Sequence, residues 1–283
     1  MIPAQFDYVR PGDVAEAVRV LADSDEPKVM AGGQSLTPLL RFRLAYPDVV
    51  VDLSGLTELR GVTDDGEWLR IGAMTTHDEV MNNPMVAAHC ALLSLATRTV
   101  ADPAVRHRGT IGGSLAHADP AGDLPAVALA LDAEFLVSGE DGERTVPASE
   151  FFLDYLTTAL DVGDVLTAVR FPKMGGWGFH YEKFSQAAQA WAVVGVAAAV
   201  RRDDGTVTEA RVGLTNMGST PVRASEVEAA CRGVPARLET LREAAQSADA
   251  GTDPPNDLSA QADYRRHLAR VLTGRALAKA AGI

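Results

Sequence analysis

An α+β chain of two domains is the fold class this sequence predicts, on three observations. At 283 residues and 47% apolar, it has length and apolar content for more than one core. Up to about residue 174, strand-length apolar runs alternate with helical patterns; beyond it, three strand-length runs follow one another and helices come last. Between the two regimes lies Lys173-Met174-Gly175-Gly176, which reads as a linker. Domains at 1–174 and 175–283 follow, the first divided into subdomains at about 1–56 and 57–174.

In the first subdomain Asp13 is placed to cap a helix over 13–22, whose Val14, Ala17, Val18 and Leu21 share one face. Lys28-Val29-Met30 is a short strand running into Ala31-Gly32-Gly33-Gln34-Ser35-Leu36. An apolar helical stretch over 36–44, with Arg41 and Arg43 interleaved, leads to a buried strand at 49–53 that Ser54-Gly55 ends. The second subdomain opens with a strand at 68–72, then Thr75-Thr76-His77 and an acidic helix start at Asp78-Glu79. One helix is expected over 86–100, a glycine loop at 109–114, and a helix of small apolar residues over 124–131. Strands at 134–138 and 165–171 follow, with a hairpin turn at Asp141-Gly142 and Pro172 stopping the pairing. In the second domain, runs at 178–184, 192–201 and 207–214 predict antiparallel strands, the last two joined at Asp203-Asp204-Gly205. Helices starting near Ala224, Ala236 and Ser259 complete it, with a loop at 253–257.

Two stretches carry the chemistry. Gly32-Gly33 follows a strand, and Gly112-Gly113 follows the basic approach Arg106-His107-Arg108-Gly109. Glycine lets a backbone take positive φ and bring its N–H groups close to a ligand, and several N–H groups turned inward suit phosphate. Two such loops with carboxylates downstream at Asp119 and Asp123 point to a dinucleotide, its pyrophosphate on amides and its ribose hydroxyls on the acid. The glycines are adjacent pairs, so neither loop is the GxGxxG of a Rossmann site. GxxxxGK[ST], HExxH and GxSxG are also missing.

A formal charge of −12 argues against nucleic acid and anionic membrane surfaces as partners. The two cysteines, Cys90 and Cys231, are too few for an iron–sulfur cluster or a cysteine zinc site, and they give no disulfide framework. The N-terminal residues have neither a basic nor an apolar leader region, and the apolar run at 191–200 is too short to span a bilayer. A cytoplasmic protein without transmembrane segments is the expectation.

Taken together, Ala31-Gly32-Gly33-Gln34-Ser35-Leu36, Arg43-Leu44, Val51-Asp52-Leu53, Ile71-Gly72-Ala73, Thr75-Thr76-His77 and Arg108-Gly109-Thr110-Ile111-Gly112-Gly113-Ser114 form a recognisable set. With Asp119-Pro120, Asp123, Tyr264-Arg265-Arg266-His267-Leu268 and Arg275-Ala276-Leu277, the chain resembles the FAD-binding medium subunits of molybdenum hydroxylases, the xanthine dehydrogenase family. Within that family it is most like the aerobic carbon monoxide dehydrogenase branch. The resemblance implies a PCMH-type FAD-binding domain of two subdomains, followed by a small C-terminal domain of antiparallel sheet plus helices. It implies that Ala31 to Ser35 wrap the FAD pyrophosphate through backbone amides, with Ser35 adding a hydroxyl and Leu36 beside them at the cofactor, that Thr110, Ile111, Gly112, Gly113 and Ser114 complete that cradle, and that Asp123 takes hydroxyls of the adenosine side. Val100, Leu166 and Lys183 fall where relatives touch the cofactor, and Trp191 stands where an aromatic shields the isoalloxazine. A tyrosine is expected there, and indole keeps the stacking face while losing the hydroxyl. The segment 186–190 lacks the basic and Gly-Asp character expected before it.

The resemblance further implies an oxidoreductase subunit with no catalytic acid or base and no metal of its own. Its partners would be a large molybdopterin-binding subunit and a small [2Fe-2S] subunit, in a dimer of heterotrimers. Plainer readings stand beside these. Asp119 suits a turn or helix cap, and Asp123 is a helix N-cap on its local sequence alone. His77 and His117 read as hydrogen-bonded structural histidines before they read as functional ones, and stand as weak cofactor candidates; Trp191 also suits a core, and Lys183 a solvated strand. Other readings of the whole chain are a medium subunit acting on xanthine, an aldehyde or an N-heterocycle, a free-standing flavin oxidase, and an assembly protein without cofactor.

Overall fold

The computed structural model describes residues 2–283; Met1, where the leader reading began, lies outside them. The first subdomain is a parallel three-stranded sheet. Strand β1 (Asp7–Val9) leads to helix α1 (Val14–Ala22), β2 (Lys28–Met30), helix α2 (Leu36–Phe42) and β3 (Val49–Asp52), in spatial order β1-β3-β2. Asp13 caps α1 by accepting from the Glu16 amide at 2.7 Å, and Ala17, Val18 and Leu21 turn inward. All four residues of β3 are buried because it is the central strand. β1 escapes the sequence pattern: it is short, at an edge, and mostly exposed.

The second subdomain is built on the five-stranded antiparallel sheet β4-β5-β10-β6-β7, with β4 (Val62–Asp65), β5 (Trp68–Gly72), β6 (Glu134–Gly139), β7 (Gly142–Pro147) and β10 (Val165–Pro172). A small ribbon of β8 (Phe152–Asp154) and β9 (Thr157–Thr158) stands apart. Inserted between β5 and β6 are α3 (His77–Asn82), α4 (Pro84–His89), α5 (Ala91–Thr97), α6 (Pro103–Arg106), α7 (Ile111–His117) and α8 (Asp123–Ala130); α9 (Ala148–Phe151) follows β7. The single helix expected over 86–100 is two helices, broken at Cys90, which has φ −139° and ψ 50°. The break turns the His89 carbonyl out to accept the Met174 amide at 3.1 Å. Residues 173–176, expected as a linker, are partly pinned, since the Lys173 amide also donates to the Glu67 carbonyl at 2.9 Å.

The C-terminal part is the antiparallel sheet β11-β12-β13-β14, from β11 (Trp177–Phe184), β12 (Val194–Asp203), β13 (Thr206–Thr215) and β14 (Val222–Arg223), covered by α10 (Ser225–Cys231), α11 (Leu238–Ala244) and α12 (Ala262–Ala280). Asp204 and Gly205 both take positive φ, the geometry that a two-residue hairpin between β12 and β13 demands. The architecture is a parallel three-stranded sheet and a five-stranded antiparallel sheet, followed by an antiparallel C-terminal sheet with helices, with nothing of the Rossmann arrangement. Beyond Asp123, helix α8 is apolar on every side, and all of its residues but Leu129 are buried, because neighbouring elements enclose it. A Cβ on Gly213 of β13 would collide with the Ala126 carbonyl, so helix and C-terminal sheet touch backbone to backbone.

Candidate functional site

A cleft of about 630 Å³ opens where the two subdomains and the C-terminal sheet meet. That is the volume of an ordinary cofactor site. Ala31 to Leu36 form one wall; His77, Val100, Thr110, Gly113, Ser114, His117 and Asp123 come from the second subdomain; Lys183 and Trp191 come from the C-terminal part. The structure thus gathers most of the residues singled out in the sequence around one space.

The first glycine loop joins β2 to α2. Gly33 has φ +72°, which turns the chain from strand into helix. Gly32 lies so close to the second subdomain that a Cβ there would run into the Arg108 carbonyl and the Gly109 Cα. A glycine is therefore required by close approach at one position and by backbone angle at the next. Among the described residues, the amides of Gly32, Gly33, Gln34 and Ser35 donate to no protein acceptor. Behind the same loop lies a second hollow of about 310 Å³ lined by Arg41 and Arg108, neither of whose side chains forms an ion pair or hydrogen bond among the described residues.

The second glycine stretch differs from expectation. It is the first turn of α7, with Thr110 as N-cap, its Oγ1 accepting from the Gly113 amide at 3.0 Å. The amides of Ile111, Gly112 and Ser114 donate to the carbonyls of Thr75, Ala73 and Thr110 at 3.0, 2.9 and 3.0 Å. All four N–H groups from Ile111 to Ser114 are committed within the protein, which corrects the expectation of a cradle built from these amides. What the segment offers the cleft is its surface: Thr110, Gly113 and Ser114 line it, and a Cβ on Gly113 would lie 3.2 Å from the Ala31 Cβ. Ile111 and Gly112 face the core instead, the glycine because Ala73 leaves no room for a Cβ. Leu166, 6% exposed, packs in the same core and does not line the cleft.

Asp123 is the first residue of α8, one position later than a cap, and is 4% exposed. Its Oδ2 accepts from Lys183 Nζ at 2.8 Å and its Oδ1 from the Tyr181 hydroxyl at 2.7 Å. Lys183 also donates to the Thr99 carbonyl at 3.0 Å, so its ammonium is buried and paired and does not sit on a solvated strand. Burial pushes the Asp123 carboxyl up, against the opposing pull of Lys183 and Tyr181. Burial, followed by the adjacent Asp123 charge, pushes the Tyr181 phenol well above its ordinary range. Tyr181 was not legible as a site residue, because its alternation within a strand marks it only as inward-facing.

His77 begins α3 beneath the cleft and is 4% exposed. Burial, with a smaller push from Arg106, lowers its pKa from the ordinary 6.5 to about 4, so it is neutral at pH 7. Its Nδ1 has no partner among the described residues. His117 lines the cleft 4.0 Å from the Asp119 carboxylate. Trp191, whose sequence context also suited a core, lies before β12 at the rim and is 58% exposed, a placement that rules out a core role. Cys90 and Cys231 are buried, with thiols pushed up to about 12 and about 11, and are inert. No group of metal-binding side chains occurs among the described residues.

Known proteins resemble this chain over essentially its whole length. Residues 4–174 match the family described as the FAD binding domain in molybdopterin dehydrogenase, and residues 179–280 match the CO dehydrogenase flavoprotein C-terminal domain. The carbon monoxide dehydrogenase medium chain of Hydrogenophaga pseudoflava is 38% identical over 98% of this chain and 97% of its own. The glyceraldehyde dehydrogenase medium chain of Sulfolobus acidocaldarius is 34% identical over 99% of this chain and 100% of its own. Among solved structures, quinoline 2-oxidoreductase from Pseudomonas putida 86 superposes with a TM-score of 0.96 at 34% identity, covering 100% of this chain and 99% of that one. The chain belongs to the family of FAD-binding medium subunits of molybdenum hydroxylases, oxidoreductase subunits whose relatives include the carbon monoxide dehydrogenase medium chains.

Proposed function

We propose that the chain carries FAD in the cleft between its glycine loops and the C-terminal sheet and serves as the electron-transfer subunit of a molybdenum hydroxylase. In this reading it takes electrons from a [2Fe-2S] subunit and passes them to an external acceptor. A large molybdopterin-binding subunit transforms the substrate, and the three chains form a dimer of heterotrimers in the cytoplasm. Carbon monoxide is the specific substrate we favour for the complex, on the 38% identity to a carbon monoxide dehydrogenase medium chain. The medium subunit of a complex acting on xanthine, an aldehyde or an N-heterocycle is the alternative.

One observation carries the binding reading: four consecutive uncommitted amides, Gly32 to Ser35, face a cleft whose opposite wall is the α7 N-terminal segment. Phosphate oxygens satisfy such amides, and the neighbouring Arg41 and Arg108 add positive charge to a chain of net charge −12. Asp123 has one lone pair on each oxygen already engaged and a second left to accept a cofactor hydroxyl. Trp191 offers a ring face at the rim, where it would cover the isoalloxazine. Val100, His77 and His117 line the walls and shape them. Bound there, FAD supplies the redox chemistry, and the protein's residues supply orientation and access.

The test is purification of the chain in the assembly it forms in its host. Flavin absorption, together with molybdenum and iron that leave with a larger and a smaller partner chain on dissociation, is the expected result. A colourless assembly that ignores added FAD, or flavin on a chain with no such partners, overturns the binding reading or the complex respectively.

A further inference from the structure

One side chain outside the cleft lining is placed to act on it through another. Tyr181 of β11 is 6% exposed, and its hydroxyl donates to Asp123 Oδ1 at 2.7 Å. Thr215 Oγ1 of β13, fully buried, lies 3.3 Å from the same hydroxyl. A tyrosine has one proton, and it is committed to the carboxylate, so in the second contact Thr215 is the donor. Gly195 of β12 completes the enclosure: a Cβ there would stand 2.5 Å from the Tyr181 hydroxyl and 3.0 Å from the Thr215 Cβ. The relay therefore runs Thr215 to Tyr181 to Asp123 Oδ1, while Lys183 holds Oδ2 at 2.8 Å.

A carboxylate held by a single donor rotates about its Cβ–Cγ bond, whereas donors on both oxygens fix its plane. Both donors here come from β11, two residues apart, and so lie on one face of that strand. Their combined effect is to hold the carboxylate of Asp123, a residue that lines the cleft, in one orientation, an arrangement that preorganises an acceptor.

We infer that Tyr181 is a positioning residue for the cofactor, its hydroxyl held by Thr215 so that it locks the Asp123 carboxylate in the orientation that receives a cofactor hydroxyl. The inference rests on the proposed reading that the cleft holds FAD against Asp123. It makes cofactor affinity a property of the C-terminal sheet as well as of the glycine loops.

The experiment is FAD titration of the apo-assembly, with thermal melting beside it. Tyr181→Phe keeps the ring and removes the hydroxyl; FAD affinity falls about tenfold, the loss of one hydrogen bond to a charged group. Thr215→Val weakens FAD in the same direction, and Thr215→Ser, which keeps the hydroxyl, restores it. In an Asp123→Asn background Tyr181→Phe costs less than about twofold, since the residue it acts through is already altered. Unchanged affinity in Tyr181→Phe, or an equal loss in both backgrounds, overturns the inference. If Asp123→Asn does not fold, the Thr215 pair decides: equal affinity of the Val and Ser variants overturns it. Failure of the wild-type assembly to bind FAD is a different outcome, which removes the functional reading itself.

Discussion

Gly33, at φ +72°, shows at the scale of one residue how backbone angle serves the site. Any L-residue there pays roughly 1–2 kcal/mol for the left-handed region, and its Cβ meets Thr37 Oγ1 at 3.0 Å. Gly33→Ala should therefore displace the uncommitted amides and weaken FAD about tenfold, as a fluorescence titration would register. A wild-type affinity would detach that loop from the cofactor. His77 makes a pH prediction. Its pKa is about 4 when folded against 6.5 when unfolded, so between these values the unfolded chain binds more protons. Stability is then full above about pH 6.5 and falls as pH drops toward 4, by about 3 kcal/mol from this group. His77→Gln should flatten that part of the urea-midpoint profile against pH; an unchanged slope would show that the histidine is not held neutral.

At the scale of elements, α8 and β11 are joined by one buried pair. Removing the carboxylate in Asp123→Ala leaves the Lys183 ammonium enclosed, with only the Thr99 carbonyl opposite. Breaking such a pair from one side costs about 3–5 kcal/mol, more than the loss of a ligand contact. Urea unfolding should show that cost in apoprotein, and Asp123→Ala with Lys183→Met should recover much of it. A marginal change in the single variant would mean that the lysine finds water. The sequence made Asp123 visible as a carboxylate before an apolar helix. It could not show the partner, because Lys183 is 60 residues away and reads as a polar position on a strand. The α7 segment gives the same lesson: Gly112-Gly113 signalled a special backbone, yet the amides are occupied through Ala73 and Thr110 Oγ1. Gly112 is demanded by packing against Ala73 and Gly113 by the closeness of Thr110 Oγ1 and Ala31, so the pair does not mark a phosphate cradle by itself.

At the scale of the molecule, the C-terminal sheet is embedded in the first domain. Gly213 meets the Ala126 carbonyl, Arg223 donates to the Leu129 carbonyl at 2.8 Å and to Asp132 at 2.7 Å, and the Asn216 amide donates to Pro120 at 2.8 Å. An interface that is apolar at its centre and hydrogen-bonded at its margin makes two parts unfold as one. Calorimetry should show one transition in the wild type. Gly213→Val, which forces a branched side chain against a backbone carbonyl, should lower or split it by an overpacking cost of about 1–3 kcal/mol. Two transitions in the wild type would make the domains independent.

By itself the sequence determined what is local: the α+β class, the hairpin at Asp204-Gly205, the cap at Asp13, and the two glycine stretches whose spacing carried the family resemblance. These depend on propensities, turn angles and patterns within a few residues. Tertiary structure alone decided which glycine stretch keeps free amides, that Ile111, Gly112 and Leu166 turn to the core, and that Tyr181 and Lys183 converge on Asp123 with Thr215 behind Tyr181. Each of those outcomes depends on partners far away in the chain, and hydrogen bonds and burial are settled only when distant segments close on one another.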